Sequence, residues 1–286
     1  MAITSDEAIS NRAVEVYSER LSNNKIQSNF EEFEKDTNTL CEIRLKISKT
    51  KTTKAWTLEE LKLAIKQLQN NKSRDPEGFI NEIFKEKVAI YDLLEAVLKL
   101  MIMIKEKQQY PKNFEKCNTT SLYKKKSRKY FNNYRGVFRV QTLRSILDRL
   151  TYNDAYYTID DNITDRNTGA RKERSVRDNI FVISAICNSV QNGNSPNIQV
   201  QIMDAEKCFV KLWLQSYINA LYEAGMDDDK LNLLYIENKN YEIAIKVNNE
   251  LSMRISVKDV ITQGSVWSSL KMHNKHGQTK QNSQVR

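Results

Sequence analysis

Only three prolines and seven glycines are spread over the 286 residues. So few turn formers exclude a collagen-like or low-complexity chain. With Lys, Glu, Leu and Ile abundant, the same scarcity favours helix over strand. Cysteine is also scarce. Its four copies, at 41, 117, 187 and 208, are far apart, and only His273 and His276 could join them, so a zinc site is not expected. Cys187 falls inside an apolar helical pattern and reads as a small core residue. Long hydrophobic runs are missing as well. The most apolar stretch, Ala96–Ile104, is interrupted by Lys99 and is too short to cross a bilayer, and Met1–Ser10 has no apolar signal core. The expectation is a soluble intracellular protein, nuclear or cytoplasmic, not secreted and without a membrane partner.

What the chain does have is positive charge. The formal charge is +9 and the isoelectric point is near 9.2, with 28% of residues charged and 40% hydrophobic. Such a surplus suits a polyanionic partner, because each Lys or Arg that neutralises a phosphate releases a condensed counterion. It equally describes a solvated basic surface, and composition does not choose between them.

Residues 1–55 are polar and charged, hold one amphipathic stretch (Ala13, Val14, Tyr17, Leu21) and end in the basic run Lys46–Lys54, so they read as a leader or linker. Thr57 and Glu60 form a capping box ahead of a helix with Leu58, Leu61, Ile65 and Leu68 on one face. A second helix is expected from Pro76 through Phe79, Ile80, Ile83, Phe84 and Val88, and a third from Tyr91 to Lys107. Thr119–Tyr123 reads as a strand leading into Lys124, Lys125, Lys126, Arg128 and Lys129. Helical spacing returns over Val140–Tyr152 and over Val176–Val190, where Gly193 suits the C-terminal cap. Ile198, Val200 and Ile202 alternate with polar residues as in a half-buried strand, which would deliver Asp204 at its end. A helix to about Gly225, another from Asp227, and a hairpin of Tyr241–Val247 with Leu251–Val257 complete the pattern.

Several segments, in order, look familiar. Asn71–Gly78 followed by Asn81–Phe84 resembles the NNKSPGPDG…NEFFK segment of reverse transcriptases from non-LTR (LINE-like) retrotransposons. Thr119–Lys126 is similar to the first fingers strand of that family, and Asn133–Gly136 to its NYRPI position, with Gly136 in place of proline. Gly169–Arg171 with Arg174, Ser175 and Asp178 resembles GFRPGRSTxD, Ile202–Phe209 resembles DLxKAFD, and Gln263–Ser265 resembles the QG motif. The resemblance covers about residues 56–270. It departs at Arg74 and Gly136, where proline is replaced, and at Val210, where a second Asp is usual. The family's aromatic-x-Asp-Asp hairpin has no counterpart, since no Asp or Glu follows Asp259.

The resemblance implies an α/β (α+β), mostly helical right-hand polymerase fold. Fingers would span 56–195, a partial palm 196–272 and a frayed tail 273–286. It implies RNA-directed DNA polymerisation on an RNA template and DNA primer, with magnesium held by carboxylates, since hard cations want oxygen ligands. Asp204 takes the metal-binding, catalytic position, although an Asp there also suits the N-cap of a following helix. Phe209 would screen the sugar 2′ position, or else pack in a core. Gln263 and Gly264 would line the nucleotide pocket, or form a turn. Arg135 would sit near the triphosphate, and Arg171 and Arg174 near the template, or each on a solvated surface. The basic run, beside Tyr123, Tyr130 and Tyr134, would contact nucleic acid, together with Lys112 and Lys116. With one palm carboxylate motif missing, the resemblance implies a catalytically silent fragment. Its rivals are a binding module without catalysis and a remnant without function.

Overall fold

The computed structural model describes residues 5–21, 30–47, 54–86, 90–163, 167–169, 171–193, 198–202, 214–248, 250–259 and 266–268. The class is α+β, with helix outweighing strand. The described helices are α1 (Asp6–Leu21), α2 (Phe30–Ile47), α3 (Leu58–Lys66), α4 (Ile90–Lys107), α5 (Thr142–Asp160), α6 (Val176–Gln191), α7 (Leu214–Glu223) and α8 (Asp228–Lys239). Their ends follow local chemistry. The Glu60 amide donates to Thr57 Oγ1 (3.2 Å) and the Thr57 amide to Glu60 Oε2 (2.7 Å), the capping box expected for α3. A second capping box, Ser175 with Asp178, starts α6, and Gly193 closes it at φ 69°. Gly225, at φ 80°, ends α7 in the same left-handed way.

One mixed sheet unites the strands β1 (Lys116–Tyr123), β2 (Tyr134–Val140), β3 (Asn240–Val247), β4 (Glu250–Leu251) and β5 (Ile255–Lys258). β1 pairs antiparallel with β2, so that Ser121 faces Gly136, and parallel with β3, so that Thr119 faces Ile245. β4 and β5 both pair antiparallel with β3. The sheet thus joins segment 116–140, expected in the fingers, to the hairpin expected in the partial palm. The strand expected over 198–203 is a correction. Residues 198–202 carry no regular structure, Ile202 is 90% exposed, and β3 is flanked by β1, β4 and β5 instead. Alternation alone did not make a strand there, because no sheet edge meets it.

The N-terminal stretch is no mere leader. Ala13, Tyr17 and Leu21 of α1 are buried with Cys117, Tyr241, Ile243 and Ile245 against one face of the sheet. Leu40 and Ile43 of α2 join α7 and α8 in a second cluster. Gly136 has its reason in this packing. A Cβ there would stand 2.7 Å from Tyr17 Cε1, and the Tyr17 and Ser121 hydroxyls are hydrogen-bonded at 3.0 Å. The helix expected from Pro76 is only a turn and a 3-10 segment, Asn81–Lys85. Phe84 is buried there, while Phe79 and Ile83 are exposed.

α5 runs through the middle of the helical part. Ile146, Leu147 and Leu150 pack with α3 and α4, and Tyr152, Ala155, Tyr156 and Ile159 pack with α2, α7 and α8. Its Arg144, 1% exposed, donates to the carbonyls of Phe114 (3.0 Å) and Glu237 (2.6 Å) and to the Tyr241 hydroxyl. The guanidinium also lies 4.3 Å from the Tyr241 ring centroid, and its Nε is 3.9 Å from Glu237 Oε1, an ion-pair distance but not a hydrogen bond. Burial works against the charge, yet Tyr110, Tyr241, Glu237 and Asp148 more than offset it, so the pKa is raised. Replacing Arg144 by Met should destabilise the chain by about 3–5 kcal/mol, the usual cost of stranding the partners of a buried ion. Urea unfolding of wild type and variant measures this, and a loss under about 1 kcal/mol would refute the role given to Arg144.

Candidate nucleic-acid interface

The β1–β2 hairpin ends in residues 124–133, and its tip is built by the backbone. The Lys124 amide donates to the Asn133 carbonyl (2.9 Å), Asn133 Nδ2 to the Ser127 carbonyl (2.6 Å), and the Tyr134 hydroxyl to the Arg128 carbonyl (2.9 Å). The Tyr123 hydroxyl donates to the Lys126 carbonyl, and Lys126 takes φ 73°. From α1, Arg20 reaches the carbonyls of Phe131 (2.6 Å) and Tyr134 (3.3 Å) and fastens the base of the loop. Tyr123, Lys124, Lys126 and Tyr134 therefore have fixed backbone neighbours.

The charges on this tip point outward. Lys124, Lys125, Lys126, Arg128 and Lys129 are all exposed, and none has an acid within ion-pair distance among the described residues. Arg128 lies 5.0 Å over the Tyr123 ring, Tyr123 and Tyr134 meet edge to face at 5.6 Å, and Tyr130 is 64% exposed. A chain of phosphates could follow these cations while a base stacks on Tyr130. Lys116 does not extend the patch. It pairs with Glu77 at 3.0 Å and starts the strand whose far end carries the loop, about 23 Å away. Lys112 is exposed near that same distant end.

Register extends the patch elsewhere. Cys117, Thr119 and Ser121 face α1, so Thr120 and Leu122, with their partners Val137 and Arg135, occupy the opposite face. Lys246, the partner of Thr120 on β3, shares that face and is exposed. Arg254 also reaches it, donating to Asn118 Oδ1 (3.4 Å) and the Glu242 carbonyl (3.0 Å), and no helix covers Leu122, at 52% exposure. Arg135, expected to bind phosphate, thus stands exposed beside the loop with Lys246 and Arg254 on the same face. The latter two were missed, because Lys246 is a lone cation in β3 and Arg254 a lone cation between β4 and β5. Arg139 was missed too, although its alternation with Arg135 and Val137 was readable. It is spent inside, donating to the Ser73 carbonyl (3.1 Å) and Asn81 Oδ1 (2.9 Å).

The other expected residues do not gather here. Asp204, Phe209, Gln263 and Gly264 lie outside the described residues. Arg174 is exposed just before α6. Arg171, expected near the template, is buried and turned inward. Its Nε and Nη2 grip Asp160 Oδ1 (2.8 Å) and Oδ2 (3.1 Å), and it also donates to the carbonyls of Asp160, Ile163 and Asn167. A cation there closes the carbonyl end of α5. Asp227–Asp229 mark the start of α8, with Asp227 Oδ2 2.6 Å from Lys230 Nζ. Among the described residues no three His, Cys, Asp or Glu side chains converge as a metal site needs. Nor is any described helix long and apolar enough to cross a membrane.

The grip of Arg171 holds the Asp160 carboxyl below its ordinary value, while burial pushes the other way. The unfolded chain therefore binds this proton more readily than the folded one. The pair's stabilisation is complete above the ordinary carboxyl range and is lost as pH falls through the lowered folded value. Asp160→Asn should cost about 1–2 kcal/mol at pH 7, discounted because the carboxylate is partly open to water. Thermal unfolding from pH 7 down to pH 2.5 should show the gap between wild type and variant closing below about pH 4. A gap that stays constant with pH would count against the ion pair.

No protein-family model matches this sequence, and no curated protein shows significant similarity to it.

Proposed function

We propose that the chain is a reverse-transcriptase-like domain of the non-LTR retrotransposon type that binds RNA through the β1–β2 tip and the open sheet face, without extending a primer itself. The observation that carries this is the outward cluster of five exposed cations on a backbone-braced hairpin, with no acid to neutralise them among the described residues. The family part of the reading rests on the ordered motifs from Asn71 to Ser265. It is supported by the hairpin formed by two of those motifs, Thr119–Lys126 and Asn133–Gly136, which pair strand to strand. The expectation that these residues alone do not extend a primer rests on carboxylate supply: two magnesium ions need several oxygen ligands, and among the matched motifs only Ile202–Phe209 brings the metal carboxylate, Asp204.

Binding should be electrostatic and salt-sensitive. Replacing Lys124, Lys125 and Lys126 by Ala should weaken binding of single-stranded RNA and flatten the log–log salt dependence by roughly one unit per lost phosphate contact. An unchanged slope would leave the run as a solvated loop and sink the proposal for this surface.

Primer extension on an RNA template with magnesium and all four deoxynucleotides should yield no product. Losing metal ligands removes several kcal/mol of transition-state stabilisation, and each ~1.4 kcal/mol is tenfold in rate. Robust extension that Asp204→Ala abolishes would overturn the binding-only reading and show that other residues complete the metal site.

A further inference from the structure

We propose that Ser127 is a phosphorylation site for a protein kinase that selects basic residues on both sides of its target, and that the phosphate closes the β1–β2 tip to RNA. The proposal deepens the reading of that tip and rests on it. Ser127 is the only serine or threonine between Lys124 and Asn133. Lys124, Lys125 and Lys126 precede it, Arg128 and Lys129 follow it, and all six residues are exposed. Its Oγ accepts from the Lys129 amide (3.3 Å), and no acceptor among the described residues takes its proton.

A kinase draws the segment around its target into an extended form, and this segment can give way. It is held by bonds to the carbonyls of Lys126, Ser127 and Arg128, all open to water, and by the Lys124 amide. No side chain from Lys124 to Lys129 is apolar, so local opening strips nothing from a core. The unbroken positive sign around the hydroxyl is a pattern that an acidic substrate groove selects. Ser175 also follows cations, Lys172 and Arg174, but Glu173 and Asp178 flank it and its hydroxyl caps α6.

In the transfer, the bond from the terminal phosphorus of ATP to its bridging oxygen breaks and a bond from that phosphorus to Ser127 Oγ forms. The hydroxyl proton passes to a base of the kinase, and ADP leaves. The product carries about −1.5 to −2 charges at pH 7 and three acceptor oxygens. Consecutive Cα atoms are ~3.8 Å apart, so all five cations are rooted within about 11 Å of it. A tethered anion at that range has an effective concentration in the millimolar range, and every ammonium it takes is lost to RNA. Two cations taken remove two phosphate contacts. Binding of single-stranded RNA should then weaken about 10- to 100-fold at ~0.1 M salt, and its log–log salt slope should flatten by roughly one to two units.

The test is to treat the 286-residue chain with such a kinase, magnesium and ATP, map the modified residue by mass spectrometry, and titrate single-stranded RNA at several salt concentrations. One phosphate is expected on Ser127, with the loss of affinity given above and its recovery after phosphatase treatment. Ser127→Ala should keep the circular dichroism and RNA affinity of wild type, and should keep that affinity after kinase treatment. No incorporation, incorporation at Ser175 without Ser127, or unchanged affinity and slope in the chain phosphorylated at Ser127 would each overturn the proposal. An unmodified chain that binds no RNA is a different failure: it removes the reading of the tip, and the switch with it.

Discussion

The joint at Arg144 is what the rest of the structure depends on. Helical core and sheet meet there, through a side chain that donates to the turn before β1 (Phe114), to the last turn of α8 (Glu237) and to the first residues of β3 (Tyr241). Phe114 is distant in sequence from the other two acceptors, which are neighbours at the junction of α8 and β3. A buried guanidinium has several fixed donors and no acceptor, so its hydrogen bonds form only if both segments reach α5 together. That requirement orients the sheet relative to α5 more narrowly than apolar contacts alone would.

The same helix is anchored at each end by a charge. At its start, buried Asp75 accepts from the Thr142 amide (2.8 Å) and from the amides of Glu77 and Phe79 (2.9 Å each). The carboxylate thus answers both the positive end of α5 and the turn that carries the Asn71–Gly78 motif. At its far end Arg171 covers the carbonyls. Asp75, inside the Asn71–Gly78 motif, and Arg171 therefore act on the chain itself. The conservative test of any motif residue is whether its polar atoms are already occupied, and for these two they are.

Legibility followed locality. Helix starts, the β1 strand, the β3–β5 hairpin and the left-handed glycines were readable, because each is set by neighbours within a few residues. Thr57 with Glu60 and Gly193 are examples. What was missed depends on distant partners. Tyr17 fills the space beside Gly136, so an apparent leader is core; the amphipathic stretch Ala13, Val14, Tyr17 and Leu21 signalled an apolar face but not the sheet it packs on. The alternating Ile198, Val200 and Ile202 have the period of a strand but no edge to join. Val176–Gln191 has the period of a buried helix but none of its described side chains is buried, and Cys187 is half exposed rather than in a core. Of the candidate surface, the lysine run and Arg135 were visible in sequence. Lys246 and Arg254 joined it only through register.

Cations in this chain divide into two sets by what surrounds them. Lys105 is buried, donates to the Lys54 carbonyl (2.9 Å), pairs with Asp154 and lies 4.4 Å from the Trp56 ring centroid. Lys230 pairs with Asp154 and Asp227, and Lys116 with Glu77. These hold elements together, and a phosphate could not take them without breaking the fold. The loop between β1 and β2 is the opposite case. Its shape comes from carbonyl acceptors and tyrosine hydroxyls rather than from carboxylates, so its ammonium groups have no competing anion among the described residues. A polyanion arriving there displaces only water and counterions, which is the condition for strong, salt-dependent binding. The net charge of +9 is thus less informative than its placement: the paired cations cancel locally, while five exposed cations without an acid beside them among the described residues stand together on one hairpin.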